Sequence, residues 1–297
     1  MKNTERAMLL LTCPLGDPGR KPLTMPQFRE LTRRMQGFRC EEPDRELQLA
    51  DLTAMGYGED FARHILELLD DETVLNGYLS VGKKLGIRPV TRVSEDYPLI
   101  LRKRLGLDAP GVLWVRGDVS LLEKPAVALV GSRELKRENR AFAEEAGRQA
   151  ALQGLTLVSG NARGADRTAQ DACLEAGGSL ICVTADALME HDIRENVLYI
   201  SETGYEIPFS AQRALSRNRV IHALGRITLV AQATLHKGGT WDGTAKNLRH
   251  GWSPVACFRD GSQAAAELEQ LGAYGIGMED LKDFSALADS GQSSFFE

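Results

Sequence analysis

From residue 126 onward the chain alternates short apolar runs with helix-length stretches, and few folds accommodate that rhythm. The runs are 127–130, 155–158, 179–183, 197–200, 227–230 and 254–258. Helical spacing fills the gap up to about residue 153, the stretch through 174, and the stretches around 213–224 and 240–249. Six strands separated by helices predict an α/β fold with a doubly wound, mostly parallel Rossmann-like sheet, because a parallel pair needs a crossover and a helix is the compact way to make one. Runs that are apolar throughout, rather than at every second residue, fit strands covered on both faces.

The same rhythm locates the chemistry. Small, donor-rich residues stand where strands hand over to helices: Val130-Gly131-Ser132-Arg133, Ser159-Gly160-Asn161-Ala162-Arg163-Gly164-Ala165-Asp166, Ser216-Arg217-Asn218-Arg219, and Lys237-Gly238-Gly239-Thr240. Backbone N–H groups at helix starts, with arginines nearby, make an anion-binding crevice, and such crevices form at the carboxyl ends of parallel strands. Gly131, Gly160 and Gly164 allow close approach of a ligand. Ser132 and the amides beside it are expected to donate to phosphate oxygens, and Arg133 and Arg163 to add charge. Asp166 reads first as a helix cap that orders the loop carrying Arg163. Arg217 and Arg219 flank an asparagine on a helix and therefore project differently, so one is expected to face the pocket while the other pairs elsewhere. Trp241 reads first as half-buried packing, with stacking on a base as the alternative.

Several function classes are excluded. The dinucleotide fingerprint G-x-G-x-x-G is absent, no acidic residue closes the second strand, and no Walker A lysine motif occurs. A net charge of −5 argues against a protein that coats nucleic acid over its whole surface but permits a local basic groove. Arg133, Lys136, Arg137, Arg140, Arg163, Arg167, Arg213, Arg217, Arg219 and Lys237 gather near the glycine-rich turns. The cysteines at 13, 40, 173, 182 and 257 are odd in number and lack C-x-x-C spacing, so they are expected to be reduced and mostly buried. The histidines at 64, 191, 222, 236 and 250 lack metal-ligand spacing, and neither a metal nor a cofactor is expected. No apolar run approaches the roughly 20 residues of a membrane helix, and residues 8–11 are too short for an export signal, so a cytoplasmic protein is expected.

Residues 24–80 read as short helices, one opened by Met25-Pro26 and another carrying Phe61, Ile65, Leu68 and Leu69 at helical spacing. The turn at 52–58 joins two of them as a packing module, with a grip on a nucleic-acid backbone as the alternative. An extended region at 88–93 and a strand at 112–117 lead into the sheet. The predicted division is a helical module at 1–85, SAM-like or helix-hairpin-helix-like, a Rossmann-like domain at 86–260, and an acidic tail at 261–297. That tail is helix-prone at first, then frayed, and ends in Phe295-Phe296-Glu297.

The residues from about 88 to 258 resemble the DNA-processing protein A (DprA, or Smf) family, part of the wider SLOG group of Rossmann-like phosphate binders. The resemblance rests on Asp96-Tyr97-Pro98, Pro110-Gly111-Val112-Leu113-Trp114, Arg116-Gly117, Val130-Gly131-Ser132-Arg133, Ser159-Gly160, Gly164-Ala165-Asp166 and Arg217-Asn218-Arg219-Val220-Ile221. It implies a non-catalytic single-stranded-DNA binder that passes DNA to a RecA-type recombinase during natural transformation, as a homodimer. The family's Ala-His pair is Ala169-Gln170 here, its Tyr-Pro is missing from 186–196, and the residues after 260 are too few for the winged-helix module of many members. The resemblance is thus to a divergent, short member. A second class stays open, since other SLOG proteins sense small nucleotides or hydrolyse their N-glycosidic bond; the hydrolase reading needs a glutamate shortly after the fourth turn, where Asp242 is the only nearby acid.

Overall fold

The computed structural model describes residues 1–38 and 45–290. Helices α1 (Asn3–Thr12), α2 (Met25–Gly37), α3 (Leu49–Ala54), α4 (Glu59–Asp70) and α5 (Glu72–Lys84) come first. Then follow β1 (Ile87–Thr91), α6 (Leu99–Leu105), β2 (Val112–Gly117), β3 (Ala126–Val130), α7 (Arg137–Leu152), β4 (Thr156–Ser159), α8 (Ala165–Glu175), β5 (Ser179–Val183) and β6 (Val197–Ser201). The chain continues through α9 (Ala211–Ser216), α10 (Asn218–Leu224), β7 (Thr228–Val230), α11 (Gly238–His250), β8 (Val255–Phe258), α12 (Gln263–Gln270), β9 (Tyr274–Ile276) and α13 (Phe284–Ser290).

The strands form one sheet in the order β1-β2-β6-β5-β4-β3-β7-β8-β9. The β6-to-β9 part is parallel, while β2 joins β6 and β1 joins β2 in antiparallel fashion. This is the expected α/β doubly wound sheet. Both faces are covered, which is why β3, β4, β6 and β7 are buried at every residue. Val127 and Leu129 face one layer, with Phe142 and Ala146 of α7, Ala169 of α8, Leu9 of α1 and Leu75 of α5. Ala128 and Val130 face the other, with Leu101 of α6, Val220 and Ile221 of α10 and Leu268 of α12.

Two regions depart from the sequence reading. The helical stretch at 213–224 is interrupted at Arg217, giving α9 and α10 rather than one helix. The segment after 260, expected as an acidic tail that is helix-prone at first and then frayed, does begin with the helix α12 but continues into the strand β9, which pairs with β8. Leu268, Ile276, Leu281 and Phe284 are buried there, and their sparse spacing among acidic residues hides a core contribution that burial reveals. Phe295 and Phe296 lie outside the described residues.

Packing also crosses residue 85. Leu9, Leu75 and Tyr78 share a cluster with Trp114 of β2 and Tyr205, whereas Leu23, Leu31, Leu52, Ala62, Ile65 and Leu68 form a separate core among α2, α3 and α4. Helix α2 starts at a capping box in which Thr24 and Gln27 exchange side-chain and backbone hydrogen bonds. Cys13, Cys173, Cys182 and Cys257 are buried and unbridged, and Cys40 lies outside the described residues. Among the described residues, no helix is long and apolar enough to cross a membrane.

Candidate nucleic-acid interface

Strand order decides where the crevice lies. β3 and β7 are neighbours, but the chain leaves β3 through α7 toward β4 on one side and leaves β7 through α11 toward β8 on the other. Two connections that part in opposite directions open a gap at the carboxyl ends of the strands. A cleft of about 420 Å³ occupies it, lined by Gly131, Ser132 and Arg133 after β3, Asp166 of α8, Arg217 and Asn218, and Lys237 to Thr240 at the start of α11. An adjoining cleft of about 380 Å³ shares Arg133 and Arg217 and adds Gly160 and Arg163. All of the glycine-rich segments expected to meet therefore do meet at one rim.

Close approach of backbones builds that rim. Gly164 has φ 89°, and a Cβ there would stand 2.4 Å from the Ser132 carbonyl oxygen. A Cβ on Gly131 would stand 2.4 Å from Ala165 Cβ, so the loop after β3 and the start of α8 require glycine on both sides. The Ala165 amide then donates to the Ser132 carbonyl at 3.1 Å.

Arg217 is the buried charge of the site. Its Nη1 donates to Asn218 Oδ1 at 2.7 Å and its Nη2 to the Gly160 carbonyl at 3.0 Å, while its buried Nε has no partner among the described residues. Burial lowers its pKa, and the carboxylates of Asp166 and Glu202 oppose that shift. Asn218 Nδ2 in turn donates to the Gly239 carbonyl at 2.9 Å, tying α10 to the start of α11. Asp166 Oδ2 accepts from the amides of Gly160 at 3.0 Å and Ala162 at 3.2 Å, so the carboxylate orders the second loop as expected, but it is not the expected helix cap: α8 starts after Gly164 without a side-chain cap, and Asp166 lies in its first turn. Burial raises the Asp166 carboxyl above its usual range, against the pull of Arg217 and of those amides.

The cations left for a ligand are at the mouth. Arg133 is exposed and has no hydrogen-bond or ion-pair partner among the described residues. Arg163 is 78% exposed and has only a loose 3.8 Å pair with exposed Glu134, which solvent screens. Lys237 is exposed, and no side chain caps the α11 start at Gly238, Gly239 and Thr240. A helix start without a side-chain cap retains N–H groups for an anion.

Three expected ligand groups are committed elsewhere. The Ser132 amide donates to the Gln232 carbonyl at 2.9 Å, a link between the β3 and β7 loops that consumes this amide, while its hydroxyl accepts from the Glu134 amide at 3.3 Å and keeps its own O–H. Ser159 is buried, and its hydroxyl accepts from Gln170 Nε2 beneath the loop. Gln170, which stands at the Ala-His position of the resemblance, also contacts Cys182 Sγ at 3.4 Å and is itself buried. Arg219 pairs with Glu202 and donates from Nε to the Asp108 carbonyl at 3.1 Å, because a carboxyl as buried as Glu202 demands a cation.

The remaining candidates sort in the same way. Trp241 is partly buried against the core layer that contains Val220 and Ile221, meets His236 edge-on with ring centroids 5.0 Å apart, and lines neither cleft. Asp242 is held by Lys246 at 2.9 Å. The described residues contain no group of three or more potential metal ligands. The sequence reading missed Phe209, Asp186 and the α9 residues Ala214 and Leu215 as cleft walls. No motif or spacing in the sequence singled them out.

The model of the DNA recombination-mediator protein A family matches residues 88–281. Protein Smf of Escherichia coli is 32% identical over 160 residues, which cover 49% of this chain and 41% of that protein. DNA processing protein DprA of Streptococcus pneumoniae is 34% identical over 146 residues, 44% of this chain and 50% of that protein. The chain spans about half the length of the curated relatives it matches. In fold, the crystal structure of DprA from S. pneumoniae superposes with a TM-score of 0.71 at 24% identity, covering 95% of this chain and 98% of that one. DprA from Helicobacter pylori, described for its single-stranded DNA binding mode, superposes with a TM-score of 0.55 at 22% identity over 70% of this chain and 96% of that one. The family match begins at β1 and runs past β9, with the whole crevice inside it, so the chain belongs to the DNA recombination-mediator protein A family.

Proposed function

We propose that this protein binds single-stranded DNA along its sugar-phosphate backbone and acts as a recombination mediator, delivering the strand to a RecA-type recombinase during DNA uptake. In this reading the chain is a cytoplasmic homodimer and performs no catalysis. Residues 86–260 form the DNA-binding unit, 1–85 a helical module packed beside it, and 261–297 its C-terminal extension. Phosphates are held by Arg133, Arg163 and Lys237 and by the amides at Gly238, Gly239 and Thr240. Gly131, Gly160, Gly164, Asp166, Arg217 and Asn218 shape the crevice from behind.

The observation that carries this reading is the exposed Arg133, which has no partner among the described residues, at the junction of two contiguous clefts. A cation left free at a rim built from helix starts suits a ligand that carries charge along its length. The test is a gel-shift series with a single strand, its duplex and a mononucleotide competitor at low and high salt. The expected result is single-strand binding that weakens steeply with salt, with the mononucleotide failing to compete. Tight, salt-insensitive binding of a mononucleotide instead would transfer the crevice to nucleotide sensing.

A further inference from the structure

The smaller cleft has a wall that phosphate binding leaves unused. Phe209 lines it together with Arg133, Arg163, Gly160 and Asp186, and 56% of its surface is exposed. Among the described phenylalanines Phe209 alone is exposed: Phe142 and Phe284 are buried, and Phe28, Phe38, Phe61 and Phe258 are half-buried. Exposed aromatic surface has a hydration cost that burial would remove, and Phe209 keeps it beside guanidinium groups.

Its backbone is held from two sides. Ser210 caps α9 by accepting from the Arg213 amide at 3.1 Å. The Arg213 side chain returns to the Pro208 carbonyl at 2.7 Å and, through Nη2, to Ser201 Oγ at 3.0 Å. The ring therefore projects from an anchored turn rather than from a loose loop. Asp186, the acidic residue on this wall, is engaged by His191 Nε2 at 2.9 Å.

An anchored aromatic face beside exposed arginines is the pairing that an unpaired nucleobase on a charged backbone requires. We propose that Phe209 is a stacking platform for one unpaired base, whose flanking phosphate is held by Arg133 where the two clefts join. The proposal rests on the single-stranded DNA reading of the crevice and adds its source of discrimination. In a duplex the base faces are already covered by their neighbours, so the ring has nothing to stack on. Stacking on a phenyl face accepts any base, so the platform selects for single strands without selecting sequence.

The experiment titrates the full chain with a fluorescent oligothymidylate and with an abasic strand of the same length. The wild type is expected to bind the thymidylate about tenfold more tightly than the abasic strand. Phe209→Ala should lose that preference while keeping abasic-strand affinity, and Phe209→Trp should restore it; the melting temperature of each variant controls for folding. Ultraviolet cross-linking should attach thymine to the peptide containing Phe209. If the wild type binds both strands equally, or Phe209→Ala retains the full preference, the platform is overturned while phosphate binding stands. If the wild type binds neither strand, the DNA reading itself fails. A Phe209→Ala variant with unchanged DNA affinity but altered sedimentation would assign the ring to a protein contact and also overturn the platform.

Discussion

Arg217 fills the space that a side chain on Gly160 would need: a Cβ at residue 160 would stand 1.9 Å from Arg217 Nη2, the same nitrogen that donates to the Gly160 carbonyl at 3.0 Å. The glycine and the buried guanidinium are thus one feature of the site. Gly160→Ala should push the guanidinium toward the crevice and break that charge-assisted bond. We expect a stability loss of about 2 kcal/mol, the size of a hydrogen bond to a charged group, together with weaker DNA binding. Urea unfolding beside a binding titration checks both, and an unchanged midpoint would show that Arg217 relocates without cost.

Arg133 and Arg219 should separate binding from stability. Arg133→Ala removes an exposed, unpartnered cation, so affinity should fall alike for unrelated single strands and the salt slope should shrink by about 1, with no change in melting. Arg219→Ala leaves Glu202 buried without its cation, at a cost of about 3 kcal/mol, and should leave the salt slope of the folded protein intact. Reversal of the two outcomes would move Arg219 into the binding surface.

The raised Asp166 carboxyl makes a prediction about pH. The folded state favours the protonated form, so its contribution is most favourable below the ordinary carboxyl value of about 4 and is lost as pH climbs through the raised folded value. Asp166→Asn has no such titration and can still accept from the Gly160 and Ala162 amides. The stability difference, variant minus wild type, should therefore grow from acid toward neutrality. Melting curves across that range test it, and a flat difference would mean that Arg217 cancels the burial cost.

His222 behaves oppositely. Burial, reinforced by Arg217, pushes its pKa down to about 3, and Nδ1 lies 3.2 Å from both Thr228 Oγ1 and Asn247 Nδ2. The unfolded chain takes up a proton near pH 6.5 while the folded protein does not, so stability should decline by up to about 1.4 kcal/mol per pH unit below that point. His222→Gln should flatten this part of the acid profile, read by chemical unfolding at a series of pH values.

Local chemistry carried much of this protein in its sequence. Fully apolar runs such as Val127-Ala128-Leu129 announced covered strands, and the glycines at 131, 160 and 164 announced close approaches, because the residue type alone signals each requirement, although the groups they approach, Ala165, Arg217 and Ser132, are distant in sequence. The loop-ordering role of Asp166 was legible because its partners at 160 and 162 are close in the chain, although it does not cap α8.

Which donors remain for a ligand depended on partners far away in sequence. Gln232 claims the Ser132 amide, Gln170 claims Ser159, and Glu202 claims Arg219; Phe209 became a cleft wall only once α9 was set against the loop after β4. The strand order belongs to this second group, because nothing local says that β7 pairs with β3 rather than with β6. The sequence alone determined the alternating elements and the residue types at their junctions. The tertiary structure decided which of those groups stayed unpaired, since a donor's availability is a property of everything packed around it.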